Sequence, residues 1–335
     1  MGKRTLYALA TMTGTAVGVG ASAVGLLRHQ ASSLRRAFDD DVDRHYDAIA
    51  ETVAPPQGGT GNDSAAVAIL GDSWLCGLEV SDPTRTPSLL IARGLARMLS
   101  TTVRVQSAAR PSALSEDLPA QVDEILGSAL LARAPGRQGE SHRFAIVSIG
   151  TGDIIHPIHG TIGIPVLNQA INRLQREGRY TVFVLVCPNL GGLPGLRDPL
   201  RTSLRRTSRV LAGSQWLAAL AAHAVPLTAT QSLSGTTKAS LLNGSGRFPS
   251  SLGYAQLSST VLAAIAERID APVLVDRTLD IPEYADAAEQ TDPDDTPTEA
   301  TAPEDAGAPE NPGGPGSDAC AAGTDPATTD ERVTG

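Results

Sequence analysis

The sequence predicts an α/β domain over residues 65–272, built on a five-stranded parallel sheet with helices on both faces. Three observations carry that expectation. Short apolar runs alternate with stretches of helical periodicity, and such alternation implies a parallel sheet buried on both sides. One run, Val182-Phe183-Val184-Leu185-Val186, is apolar without interruption, as a strand covered on both faces must be. Hydrophobic residues make up 41% of the 335 residues and aromatics only 3%, so the core must be assembled from Ala, Val, Leu and Ile.

Element by element, Ala65–Leu70 is the first strand candidate, a short buried run. Ser88–Ser100 follows as a helix with Leu89, Leu90, Leu95 and Leu99 inward. Thr102–Gln106 is the second strand. Ser115–Leu131 is a helix whose Ser-Glu-Asp start suits an N-cap and the helix dipole. Phe144–Ile149 is the third strand and Pro165–Glu177 the next helix. Tyr180–Cys187 is the fourth strand, Leu200–Ala222 a helix, Ala224–Leu227 a short fifth strand and Ser251–Ile269 the closing helix.

The flanks read differently. Thr5–Leu27 holds no charged residue, and its 23 residues suffice to cross a hydrocarbon core of roughly 30 Å as a helix. Residues 1–28 are therefore expected to be a single-pass anchor at the cell membrane, with the domain on the extracytoplasmic side. A cleaved signal with Ala21-Ser22-Ala23 as its small-residue site is the alternative. Lys3 and Arg4 oppose Arg28, Arg35 and Arg36, so the charge count leaves the orientation open. Residues 29–64 read as a juxtamembrane helix, with Leu34, Phe38, Val42, Tyr46 and Ile49 at helical steps, then a linker beginning at Ala54-Pro55-Pro56. Residues 282–335 are rich in Pro, Ala, Thr and acids, and are expected to be a disordered tail.

The net charge of −9 is unevenly spread: the tail carries 14 acidic residues against one arginine, a local charge of −13 that leaves the rest at +4. No basic run interleaved with aromatics occurs, so nucleic-acid binding is not indicated. The three cysteines, Cys76, Cys187 and Cys320, show no metal-ligand spacing, and neither a metal nor a cofactor is expected. Cys76 and Cys187 read as small apolar fillers, with a bridge between them as the alternative.

The candidate site begins where the first strand runs into Gly71-Asp72-Ser73. In an open parallel sheet, sites form where strands end and helices begin. A serine at that turn presents its hydroxyl at the sheet edge, with its N–H aimed where an oxyanion would sit. Read alone, the motif is equally served by a serine that only caps a helix.

Further runs make the pattern specific. Leu70-Gly71-Asp72-Ser73 with Gly77-Leu78 resembles the first block of the SGNH/GDSL hydrolases. The stretch from Ala109 to Leu118 resembles the second block, Val147-Ser148-Ile149-Gly150-Thr151-Gly152-Asp153 the third, and the stretch from Arg247 to Ala255 the last. Cys187-Pro188-Asn189-Leu190-Gly191 is similar to a stretch common in actinobacterial members. The resemblance covers roughly residues 65–270 and implies a three-layer flavodoxin-like fold with esterase or acyl-hydrolase ancestry. It makes Ser73 the nucleophile position and places the oxyanion donors at Ser73, Ser112 and Gly152.

The departures weigh more than the matches. The family's block-two glycine falls on Ser112, tolerable for a backbone donor, but its block-three asparagine falls on Gly152, where the side-chain donor is gone. With Pro249 and Gly253-Tyr254 fixing the alignment, the family's aspartate falls on Ser245 and its histidine on Phe248. If one residue is deleted instead, the aspartate falls on Gly246 and the histidine is absent. Independently, none of the six histidines lies in the last 112 residues, where the family draws its base. A serine hydroxyl is a weak nucleophile without a base. On the loop after block three, near His159, His156 with Asp153 is the candidate substitute, and the alternative is that these are polar loop residues at a cleft rim. The expectation is a catalytically impaired relative, a binding or scaffold module at the cell envelope whose ligand is an acyl group or envelope fragment. The alternative is a serine ester hydrolase with a non-standard base near Ser73.

Overall fold

A computed structural model of the chain describes residues 24–40, 49–56, 64–78, 80–132, 142–156, 163–228 and 241–271. The uncharged span 5–27 lies outside them up to residue 23, as do His45, His159, Cys320 and the whole of 282–335. No helix among the described residues is long and apolar enough to cross a membrane.

Six strands form one sheet in the order β1-β3-β2-β4-β5-β6. They are β1 (Ala50–Val53), β2 (Ser64–Gly71), β3 (Thr102–Ser107), β4 (Arg143–Ser148), β5 (Thr181–Val186) and β6 (Val225–Thr228). β2 to β6 are mutually parallel. β1 is antiparallel to β3, with Ala50 opposite Gln106 and Val53 opposite Val103. The sheet is therefore mixed and six-stranded, which corrects the expectation of five parallel strands. The extra strand lies between the last position read as juxtamembrane helix, Ile49, and the linker expected from Ala54, and Ile49 itself is not helical. Its Ala-Glu-Thr-Val is largely exposed, and an edge strand covered on neither face carries no apolar signature.

The described residues form seven helices: α1 (residues 24–40), α2 (Pro87–Leu99), α3 (Leu118–Leu126), α4 (Thr151–Ile155), α5 (Ile164–Arg176), α6 (Leu200–Ala221) and α7 (Ser251–Arg268). The pleat divides the core. Val67, Ile69, Val105, Ile146, Phe183 and Leu185 face α2 and α7. Ala66, Ala68, Leu70, Val147, Val182 and Val184 face α3, α5 and α6. β2 and β4 are thus apolar at every central position because both of their faces are covered. The helix expected from Ser115 to Leu131 is shorter. It opens as a 3-10 turn, continues as α3 from Leu118 with Pro119 in its first turn, and stops at Gly127.

A third apolar cluster sits apart from both sheet faces. It joins Phe38 of α1 with Cys76, Leu78, Ile155, Leu190, Leu193, Leu196, Leu200, Leu204 and Phe248. The helical periodicity read at Leu34 and Phe38 is thus real, and its apolar side packs onto the domain.

Candidate functional site

The site is built from the loops after β2, β3 and β4 and from the turn before α7. Gly71 ends β2 at φ +132°, where an added Cβ would stand 1.7 Å from the Ser148 carbonyl oxygen, so only glycine lets the chain turn against β4. The buried Gln121 side chain of α3 clamps this glycine, accepting from its N–H at 2.6 Å and donating to its carbonyl at 3.0 Å. Asp72 is fully buried. Its carboxylate accepts from the Trp74 amide at 3.3 Å and from the Thr151 amide at 2.9 Å, tying the serine turn to the start of α4. Desolvation by burial pushes its pKa up to about 6, against the opposing pull of those two amides.

Ser73 follows, only 3% exposed. Its Oγ accepts a hydrogen bond from the Ser112 N–H at 2.9 Å. Ser112 is held at φ +55°, a left-handed conformation that turns this amide toward the serine. No histidine among the described residues hydrogen-bonds Ser73. Trp74 packs in the core under the α2 side of the sheet. Cys76 and Cys187 are free and buried, not bridged, and burial pushes both thiols well above their ordinary range.

Among the described residues, His156 and Asp153 do not come together with Ser73 as a substitute base. The Asp153 carboxylate accepts from both the N–H and the hydroxyl of Ser115, stitching the second block to the third. His156 instead faces α1, with its Nε2 3.3 Å from Asp39 but without hydrogen-bond alignment. Arg35 of α1 donates to the Ile155 carbonyl at 2.7 Å, fixing the same edge. His159 lies outside the described residues. No cluster of three His, Cys, Asp or Glu side chains able to hold a metal occurs among the described residues.

The turn before α7 is organised by Asn243. Its side-chain oxygen accepts from the Ser245 hydroxyl at 2.9 Å, the Arg247 amide at 3.2 Å and the Phe248 amide at 3.3 Å. Phe248 is fully buried and meets Phe38 of α1 edge to face, ring centroids 5.2 Å apart at 77°. Ser250 caps α7, and Tyr254 reaches back to accept from the Leu78 amide at 3.1 Å, locking this turn to the loop after Ser73.

No family model matches the chain. A GDSL-like esterase of Mycobacterium tuberculosis is 29% identical over 214 residues, covering 61% of this chain and 64% of that protein. In this chain the serine turn holds Ser73 and the Ser112 amide in hydrogen-bond contact. This likeness supports assignment of the chain to the SGNH/GDSL hydrolases. It spans about 64% of the length of that relative. Among solved structures, a lipase/acylhydrolase of Enterococcus faecalis is 17% identical with a TM-score of 0.46, covering 61% of this chain and 96% of that one. An acetylxylan esterase of Geobacillus stearothermophilus is 14% identical with a TM-score of 0.46, covering 60% and 94%.

Within this SGNH/GDSL domain, the block-three position has no room for the family's asparagine. A Cβ on Gly152 would stand 2.4 Å from the Ala113 carbonyl oxygen. The Ser245 and Phe248 positions hold a hydroxyl bonded within its own turn and a ring buried under α1. Four contributors escaped the sequence reading: Gln121, Gln215, Asn243 and Phe38. Gln215 of α6 mirrors Gln121, accepting from the Cys187 amide at 2.7 Å and donating to the Ile149 carbonyl at 2.6 Å. A lone glutamine in a helix carries no local signal of what its amide will clamp. Phe38 was visible as a helix position, but not as the cap on Phe248.

Proposed function

We propose that this SGNH/GDSL hydrolase domain is catalytically silent and works as a scaffold at the cell envelope, its base position turned over to packing. The observation that carries the reading is Phe248. At the histidine position stands a fully buried ring, roofed by Phe38 of α1, while the Ser73 hydroxyl meets a backbone amide and no imidazole of the described residues. General-base catalysis contributes about 10²–10⁴ in rate, and one oxyanion side-chain donor about 10²–10³. Both are missing from the described site. The apolar roof favours protein packing there over an open cleft for an acyl or envelope ligand. Placement at the envelope draws support from the uncharged stretch 5–27 that precedes the domain.

One observation favours the competing reading of a serine ester hydrolase with an unusual base. The Ser112 amide stands 2.9 Å from the Ser73 hydroxyl, as an oxyanion donor would. Labelling of the full chain with a fluorophosphonate probe separates the two, with Ser73→Ala as reference. The silent reading expects equal, background labelling of both proteins. Rapid labelling that Ser73→Ala abolishes overturns it in favour of the esterase.

A further inference from the structure

The outward face of α6 has a composition that nothing in the site requires. The helix is 22 residues long and contains no carboxylate. Leu204, Ser208, Leu211, Gln215, Ala218 and Ala219 turn inward and are buried. The exposed Arg201 and Arg205 lie toward one flank of its N-terminal half, and the exposed Arg206 and Arg209 lie on the opposite side. It continues with Val210 (61% exposed), Trp216 (37%), Leu217 (68%) and Leu220 (52%). At helical spacing, Arg206, Val210, Leu217 and Leu220 share one stripe, with Arg209 and Trp216 beside it. Asp198 lies within electrostatic reach of Arg201 and Arg205. Arg206 and Arg209 have no ion pair among the described residues.

These residues are not scattered. The other exposed large hydrophobics among the described residues are Val24 and Leu26, at the start of α1. α1 meets the first turn of α6, where Gln30 accepts from the Leu200 amide at 3.3 Å and donates to the Asp198 carbonyl at 3.4 Å. The chain leaving the uncharged stretch thus enters the domain beside the basic end of α6.

We propose that the outward face of α6 docks on an anionic lipid bilayer, its arginines on the headgroups and its Trp216, Leu217 and Leu220 at the acyl boundary. A helical face with arginines toward one end and Trp and Leu toward the other suits an interface of that kind. A second copy of the chain is a poorer occupant. Pairing two such faces sets Arg206 and Arg209 of one near those of the other, with no carboxylate on either helix to offset them. The proposal stands whether or not Ser73 reacts.

The two tryptophans supply the test. Trp74 is buried at 3% exposure, and Trp216 sits on the proposed face. The full chain is mixed with vesicles whose acyl chains are brominated, made either of phosphatidylcholine alone or with phosphatidylglycerol. The proposal expects quenching of Trp216 emission only with phosphatidylglycerol present, and its loss in Trp216→Phe. Each basic residue near such a surface contributes about fivefold, so Arg206→Ala lowers the docked-to-free ratio about fivefold and Arg206→Ala with Arg209→Ala about 25-fold. Equal quenching in both vesicle types, no quenching in either, or indifference to the arginine substitutions overturns it. So does a Trp216 shift that follows protein concentration without lipid, which would assign the face to a second copy.

Discussion

The two sides of the site are held by different forces. On the serine side the ties are polar and reach across the sheet: Gln121 clamps Gly71, Asp72 accepts from Trp74 and Thr151, and Ser112 donates to Ser73. On the histidine side the ties are a turn organised by Asn243 and an apolar stack of Phe248 on Phe38. The difference teaches that a nucleophile turn does two jobs. Its backbone bonds join three strand ends, and this work remains when catalysis is not supported. A general base does chemical work alone, so its place is available to packing.

That contrast is open to attack at several points. The largest effect is expected at Phe248. Phe248→Ala removes a buried ring and is expected to cost about 3–5 kcal/mol in denaturant unfolding. A cost under about 1 kcal/mol would mean the histidine side is not held by packing. Next is the pH dependence of Asp72. Its folded pKa of about 6 lies above the ordinary 3.8, so its contribution is complete below about pH 4 and lost as pH rises through 6. The loss amounts to about 3 kcal/mol. Subtracting the stability profile of Asp72→Asn from that of the native protein isolates it, and a difference that is flat between those pH values would contradict the buried-carboxylate account.

Smaller changes sharpen the comparison. Gly152→Asn restores the family residue but sets its Cβ against the Ala113 carbonyl, and is expected to destabilise by about 1–3 kcal/mol. A neutral effect on the melting temperature would show that the block-three turn yields easily. Ser73→Ala leaves the Ser112 amide without its partner, an expected cost of about 1 kcal/mol. Chemical denaturation reads it directly, and no cost would mean that this contact contributes nothing to the serine turn.

Much of this architecture was legible because buried parallel strands cannot disguise themselves. The runs at β2, β4 and β5 are apolar at nearly every position since both faces are covered. β1 was illegible for the opposite reason: Ala50–Val53 is an edge strand, mostly exposed, needing only backbone partners from β3. The serine turn could be read from Gly71-Asp72-Ser73 because that run, together with the later blocks, resembles the SGNH/GDSL hydrolases. The roof could not. The ring contact of Phe38 with Phe248 joins positions 210 apart in the chain, and periodicity reports only that each has a buried side. The same holds for Asp39 of α1 and His156, 117 positions apart, whose side chains stand 3.3 Å from each other.

The central claim is that no base reaches Ser73, and turnover tests it most directly. Hydrolysis of a short-chain nitrophenyl ester by the full chain is compared with that by Ser73→Ala across neutral pH. The account predicts matching kcat/KM values for the two proteins, both at the level of non-specific protein catalysis. A native value exceeding that of Ser73→Ala by about a hundredfold, the low end of what a positioned base supplies, would contradict it.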